Sequence, residues 1–390
     1  MLYQIIIGFT LLAFLNASAL SASEPRTSLE ATSCDDSYLT IFRQNYARLF
    51  AAWDDARKVE SENHLRPCQS VRPRFTTFSI PDDPNEFVGG FGDRLLGMVT
   101  VFYASLATGT TFGIKWNRPY NIKSYFNVPC ASDVPAGAKK IISIDAWDHF
   151  LGQDWRNDDH NNLTYHTNAR HWKHVVDTAA NSNSPPSSIV TDLRVDQLSE
   201  RMLFKVAIDT LFAHPMSKIR HKTDRILSYG LPIVGVQIRT GGKQPAFTDV
   251  ATRHPVQSAT CFAEEAQKAC SALEKCLIFL TSDSVPAANI FMERLVHVCP
   301  KHLCRFVKQV HGQALHTDRT DNNDVAGLTQ HELDSLWTKS VLDWWLLKHA
   351  DALIISRSGF GETAAMASNA VMIRQLALTE NPDKCNFTNI

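Results

Sequence analysis

The chain has 390 residues, 39 Lys+Arg against 40 Asp+Glu, and 44% apolar residues. At about 150 residues per domain this predicts two or three domains, and the ordinary composition excludes a long disordered or fibrous chain. A formal net charge of −1 gives no basis for binding nucleic acid and leaves room only for a local basic patch.

The N-terminus carries an apolar run, Ile5 to Leu15, followed by small residues through Ala19 and Ala22. Residues 1–22 read as a signal peptide or a signal anchor. The short apolar core favours cleavage. The missing basic flank and the near-spanning length of Met1 to Leu20 keep the anchor open. Contact with a membrane is expected only in the anchored case. Either reading sends the rest of the chain into the secretory pathway, to the Golgi or endoplasmic reticulum lumen or beyond. No later run is long and apolar enough to span. Nine cysteines follow: Cys34, Cys68, Cys130, Cys261, Cys270, Cys276, Cys299, Cys304 and Cys385. An oxidising compartment predicts up to four disulfides and one free thiol, paired within each half; buried free thiols are the alternative. The sequons at Asn162 and Asn386 fit such a route.

The first clear unit starts at Phe87. The glycine-rich turn Gly89-Gly-Phe-Gly-Asp-Arg94 precedes a helical stripe at Leu95, Val99, Phe102 and Leu106. A strand, Thr111 to Trp116, follows. Asn181 to Ser188 reads as an extended surface loop. The second half alternates strands and helices. Strands are expected at Ile233–Arg239, Leu277–Thr281, Arg305–Val307 and Ala352–Ser356. Helices are expected at Cys261–Lys275, Ala287–His297, Leu333–His349 and from Gly361 to Ser368. This predicts an α/β fold with parallel sheets covered on both faces. The boundary falls near Lys222 to Gly230, giving domains of 30–225 and 226–390.

In such sheets ligands bind beyond the carboxyl ends of the strands. Arg239, Thr281 to Ser284, and Ser356 to Phe360 occupy those ends. A cation, an acid with hydroxyls, and a Ser/Gly turn opening a helix suit a nucleotide diphosphate. The residues alone carry the reading no further than that.

The same stretches resemble the fucosyltransferase superfamily with the two-Rossmann GT-B fold. That group includes the protein O-fucosyltransferases, the core α-1,6 enzymes, and the nodulation and xyloglucan fucosyltransferases. Gly90-Phe-Gly-Asp-Arg-Leu95 is similar to the family's Gly-x-Gly-[Asn/Asp] loop at the cleft. Val234 to Arg239 resembles its His-x-Arg strand end, with Arg239 matching the arginine that binds the donor β-phosphate. Gln237 stands where histidine is usual. Phe279 to Ser284 resembles the Ala-Thr-Asp-Asp segment, with Asp283 in it. Asp343, eight positions before Asp351, matches the acid that contacts the guanine end of the donor. Ser356, Ser358 and Phe360 fall in the Ser-Ser-Phe region, where Gly359 replaces a serine. Leu211-Phe-Ala-His-Pro215 is like the turn that closes the N-terminal domain.

The resemblance implies transfer of fucose from GDP-fucose to a glycan or protein hydroxyl, with inversion. It implies an acceptor-side and a donor-side domain facing a cleft, and donor contacts at Gly90, Gly92, Gln237, Arg239, Asp283, Asp343, Ser356, Ser358, Gly359 and Phe360. Arg239 is the expected catalytic stabiliser of the leaving diphosphate, and Asp93 or Asp283 is the candidate base. No cofactor and no metal are expected. The chain holds no Asp-x-Asp triplet, the pair that cation-dependent glycosyltransferases use. The histidines at 297, 302, 311 and 316 do not make a tight metal motif.

Plainer roles exist for each residue. Arg239 suits an interdomain salt bridge and Asp283 a helix cap ahead of Pro286. Asp93 suits a tie within its turn, and Asp343 a partner for Lys339 or Lys348. Trp337, Trp344 and Trp345 at helical spacing suit the core better than a sugar platform. A non-catalytic binding protein on the same fold, supported by Gln237 and Gly359, is the alternative function; another nucleotide sugar is a third.

Overall fold

A computed structural model describes residues 75–80, 89–108, 110–116, 120–126, 141–143, 162–166, 170–181, 190, 193–244, 247–306, 328–377 and 385–390. The N-terminal segment, Cys34, Cys68, Cys130, His311, His316 and most of the Asn181–Ser188 loop lie outside the described residues. None of the described helices is long and apolar enough to cross a membrane.

The first sheet holds β1 (Phe75–Ser79), β2 (Thr111–Lys115), β3 (Ile141–Ser143) and β4 (Asn162–His166) in the order β2-β1-β4-β3. All three pairings are parallel. Helix α1 (Phe91–Thr108) makes the β1-to-β2 crossover that parallel strands require. Its expected stripe, Leu95, Val99, Phe102 and Leu106, is buried, and so are Met98, Val101 and Tyr103. Among the described residues, three further helices belong to this half: α2 (Trp172–Ala180), α3 (Glu200–Leu211) and α4 (Ser217–Leu227). Ser199 caps α3 by accepting the Met202 N–H (3.3 Å).

The second sheet is doubly wound. It starts at β5 (Ile233–Ile238), followed by a hairpin of β6 (Gly241–Gln244) and β7 (Phe247–Thr252). Then come α5 (Ala259–Ala272), β8 (Cys276–Ser282), α6 (Val285–Val298), β9 (Cys304–Phe306), α7 (Gln330–Lys348), β10 (Ala352–Ser356), α8 (Gly359–Ala367), β11 (Met372–Leu376) and β12 (Phe387–Asn389). The strand order is β12-β11-β10-β5-β8-β9, parallel except for the last strand, β12.

Side chains alternate between the two faces with a period of two. Val234, Val236, Ile278, Leu280 and Ile354 enter one core with α5 and α6. Ile233, Leu277, Phe279, Leu353 and Ile355 enter the other, which runs continuously through α7, α8, α1 and α3 to the first sheet. These strands read as unbroken apolar runs because both faces are covered.

The chain leaves β5 toward β8 and β9 on one side, then returns with β10 and β11 on the other. The direction therefore reverses between β5 and β10. That is the switch point at which such sheets open a ligand crevice.

Some elements differ from the sequence expectation. Helix α8 starts at Gly359 because Ser358, extended, caps it. Helix α7 starts at Gln330 because Thr329 and Glu332 form a capping box. The expected boundary at Lys222–Gly230 begins inside α4. The last-third cysteines form three disulfides: Cys261–Cys385, Cys270–Cys276 and Cys299–Cys304.

Candidate active site

The switch crevice is built from the ends of β5 and β10. The Arg239 N–H donates to Ser356 Oγ across it (2.9 Å). The Arg239 guanidinium lies 3.3 Å from Asp283 Oδ2 and its side chain is 13% exposed. Asp283 also accepts from Thr240 N–H (2.9 Å), Thr240 Oγ1 (3.1 Å) and Gly241 N–H (3.0 Å). Ser284, not Asp283, caps α6, accepting from Ala287 N–H. Asp283 thus shapes the turn after β5 and aims the arginine.

Gln237 is buried and works inside the opposite turn. Its Oε1 accepts from Ser356 N–H (3.1 Å) and Ser358 Oγ (3.4 Å). Ser358 Oγ in turn accepts from Gly361 N–H (3.3 Å). The Ser356–Gly361 turn is therefore ordered from beneath by the residue two before Arg239.

The glycine-rich loop meets that turn. Gly90 N–H donates to Asp93 Oδ2 (2.9 Å), and Arg94 Nε donates to Gly89 O (3.0 Å). Arg94 is buried, its guanidinium carbon 5.8 Å from the Trp116 ring centroid. A methyl group on Gly92 would lie 2.2 Å from the Gly359 carbonyl. One on Gly359 would lie 2.8 Å from Asp93 Oδ1. The Phe91 and Phe360 rings are 6.1 Å apart, centroid to centroid. Gly90, Gly92 and Asp93 thus share one site with Gln237, Arg239, Asp283, Ser356, Ser358, Gly359 and Phe360.

Burial pushes the Asp93 carboxyl above its usual range, with Glu362 adding to this. The Gly90 N–H, Arg253 and Arg94 oppose it but do not outweigh burial. Burial thus makes this carboxylate a stronger base than an exposed aspartate.

Asp343 sits apart, on α7 below the sheet end. It is 5% exposed, and its Oδ2 takes both Lys339 Nζ and Thr281 Oγ1 (2.8 Å). Thr281 is the register partner of Gln237. Asp343 therefore braces the sheet one strand away from Arg239. Trp337, Trp344 and Trp345 are buried in the shared core.

Two residues were not singled out from sequence. Arg253 and His254 follow β7, and both backbone N–H groups donate to Thr240 O (2.7 and 3.3 Å). Arg253 Nη1 also reaches Arg357 O (3.4 Å). No motif marks them; only the hairpin folds them back onto the turn after Arg239. Among the described residues, three metal-ligating groups come together at Cys270, Cys276 and Cys304. Each of those sulfurs is in a disulfide.

No family model matches the sequence, and no curated protein matches it either. Solved structures do match. One is an Arabidopsis thaliana FUT1 variant in complex with GDP, at 15% identity and a TM-score of 0.50, covering 95% of this chain and 88% of that one. The chain has the fold of a fucosyltransferase. NodZ α-1,6-fucosyltransferase soaked with GDP-fucose matches at 14% identity and a TM-score of 0.47, over 82% of this chain and 99% of that one. NodZ from Bradyrhizobium, also at 14% identity and the same coverage, has a TM-score of 0.41. In this fucosyltransferase fold the Arg239 turn and the Ser356–Gly361 turn come from one sheet, and Asp93 comes from the helix that follows the other sheet's first strand.

Proposed function

We propose that the chain transfers fucose from GDP-fucose to a glycan or protein hydroxyl, with inversion and without a metal ion. The observation that carries this is Arg239, held by Asp283 and Ser356 at the switch point between β5 and β10, facing the Ser356–Gly361 turn. The likeness of fold to a fucosyltransferase solved with GDP supports it.

In this reading the acceptor oxygen attacks the anomeric carbon from the face opposite the leaving group. The glycosidic C–O bond breaks, and its electron pair leaves on the diphosphate as GDP. Arg239 and the turn's N–H groups meet the growing negative charge, a preorganised arrangement of the kind that dominates many rate enhancements. The acceptor proton goes to Asp93, whose carboxyl burial already biases toward protonation. Asp283, Gln237 and Asp343 act as positioning residues. The proposal also divides the chain near residue 226 into acceptor-side and donor-side lobes. It places the protein in the secretory lumen, for which the three disulfides speak. Gln237 and Gly359, the departures from the family pattern, both have places within the turn itself.

Thermal stabilisation of the luminal chain by GDP, GDP-fucose, GDP-mannose and UDP, with and without EDTA, tests the reading. A ligand at 100 times its Kd adds about 2.7 kcal/mol to stability. A shift with GDP and GDP-fucose that survives EDTA is expected. A shift with UDP alone moves the reading to another nucleotide sugar. No shift with any of them rejects a donor site.

A further inference from the structure

One buried polar atom beside the Arg239 turn has no partner. His254 is 3% exposed, and its Nε2 makes no hydrogen bond. Three other buried side-chain atoms among the described residues share that condition, on Trp116, Tyr120 and Asp196, and all precede β5. The position of His254 is fixed on two sides. Its backbone N–H and that of Arg253 hold the Thr240 carbonyl. Its ring meets Phe262 of α5 edge-on, at 6.4 Å between centroids.

A ring nitrogen buried without a partner has lost water's hydrogen bond and gained nothing. Next to a ligand crevice, a ligand atom can restore that bond. The surroundings select its charge. The charged groups the ring senses are Arg253 and Asp283. Both Asp283 oxygens are already engaged, by Thr240, Gly241 and Arg239. Arg239 immediately precedes Thr240, and the Arg253 N–H donates to the Thr240 carbonyl, so two arginines adjoin the same turn. An N–H in that setting is matched by an anionic oxygen.

We propose that His254 is a further donor-binding residue, its Nε2–H bonding an oxygen of the donor diphosphate. This rests on the nucleotide-sugar reading above. The backbone anchor on Thr240 ties residue 254 directly to the turn that carries Arg239.

The test is calorimetric titration of the full chain with GDP and with inorganic pyrophosphate, for wild type, His254→Leu and His254→Gln. Leucine fills much of the ring's space without a donor; glutamine keeps an amide N–H at about the reach of Nε2. His254→Leu is expected to weaken both ligands about tenfold or more, as loss of a hydrogen bond to a charged group does. Its ligand-free Tm should equal or exceed that of wild type, because the unpaired atom is gone. His254→Gln should bind both within about threefold of wild type, having kept the donor. Tight binding by wild type with equal binding by His254→Leu overturns the assignment alone. So does a joint fall of Tm and affinity in both variants, without rescue by glutamine. A wild type that binds neither ligand overturns the donor reading and this assignment with it.

Discussion

Gly92 and Gly359 touch backbone to backbone, although they are 267 positions apart in the chain. A Cβ on Gly92 would sit 2.2 Å from the Gly359 carbonyl carbon and oxygen, and 2.6 Å from the Phe360 nitrogen. The contact joins the N-terminus of α1, from the first half, to the N-terminus of α8, from the second. Glycine at both positions is thus a demand of closeness. The same closeness leaves room for Asp93 beside Gly359, where a serine side chain would collide with its carboxylate.

Gly92→Ala should therefore separate the two helix ends. Forcing a methyl group against backbone costs roughly 1–3 kcal/mol, because neither partner is a flexible side chain. Denaturant midpoints for the variant should fall by that amount, and GDP affinity should fall with them. An unchanged midpoint would show that the two helix ends do not meet in solution.

The bond from Arg239 to Ser356 uses the backbone N–H, which alanine keeps, and Asp283 retains its Thr240 and Gly241 donors, so loss of the guanidinium should remove charge stabilisation without loosening the sheet. Arg239→Ala is expected to lower the transfer rate at least about 10²-fold, as removal of a comparable oxyanion contact does. Circular dichroism and Tm should stay near wild type. Arg239→Lys keeps the charge but not the fork, and should recover only part of the rate. A variant retaining more than about a tenth of the wild-type rate, against that expectation, would sink the role.

Much of this was legible in the sequence, and what was missed has physical reasons. The strands β5, β8 and β10 are apolar on both faces, so they stand out as unbroken runs. β1, with Thr76 and Thr77 in its middle, and β11, with Arg374 and Gln375, lack such runs and went unread. The hairpin β6–β7 carries a register shift next to Gly241, and nothing in its sequence announces it. Arg239 was visible because it ends a strand. The hydrogen bonds that Asp283 and Gln237 make within the turns were not, because bonds across strands depend on register. Arg253 and His254 were invisible for the same reason: only the hairpin brings them to Thr240.

Asp93→Asn separates catalysis from binding. The amide can keep the bond from Gly90 N–H but accepts no proton. The expected result is a transfer rate about 10²-fold lower, within the usual range for general-base loss, with GDP affinity little changed. In wild type the acid limb of the pH–rate profile should lie above the ordinary aspartate range, because burial raises this carboxyl. Equal loss of rate and GDP affinity would instead assign Asp93 to the loop's shape.

The Cys261–Cys385 disulfide ties the start of α5 to the residues just before β12, across a sequence separation of 124. A closure of that length constrains the unfolded chain strongly, so Cys261→Ser should cost about 2–5 kcal/mol. Part of that loss should appear as fraying of β12, whose pairing with β11 is the last in the sheet. Hydrogen exchange at Phe387–Asn389 would report it. Protection equal to wild type would mean that the ladder alone holds the terminus.

Acid should act first through His349. Burial, with Lys348 and Lys205 alongside, depresses its imidazole to about 4, against the opposing effect of the Trp345 carbonyl and Asp209. Its Nδ1 lies 2.8 Å from Trp345 O, a bond the neutral ring donates. The unfolded chain protonates this histidine near pH 6.5, and the folded chain does not until about pH 4. Between those values the unfolded state binds the extra proton, so stability falls as pH falls. The full loss is on the order of 3 kcal/mol or slightly more, absent above pH 7 and complete below the folded pKa. His349→Gln removes the titration, so its stability should decline less steeply between pH 7 and pH 4. Other titrating groups are common to both proteins, and the difference between their urea midpoints isolates His349. Parallel decline of the two would show that the imidazole takes its proton in the folded state as readily as in the unfolded one.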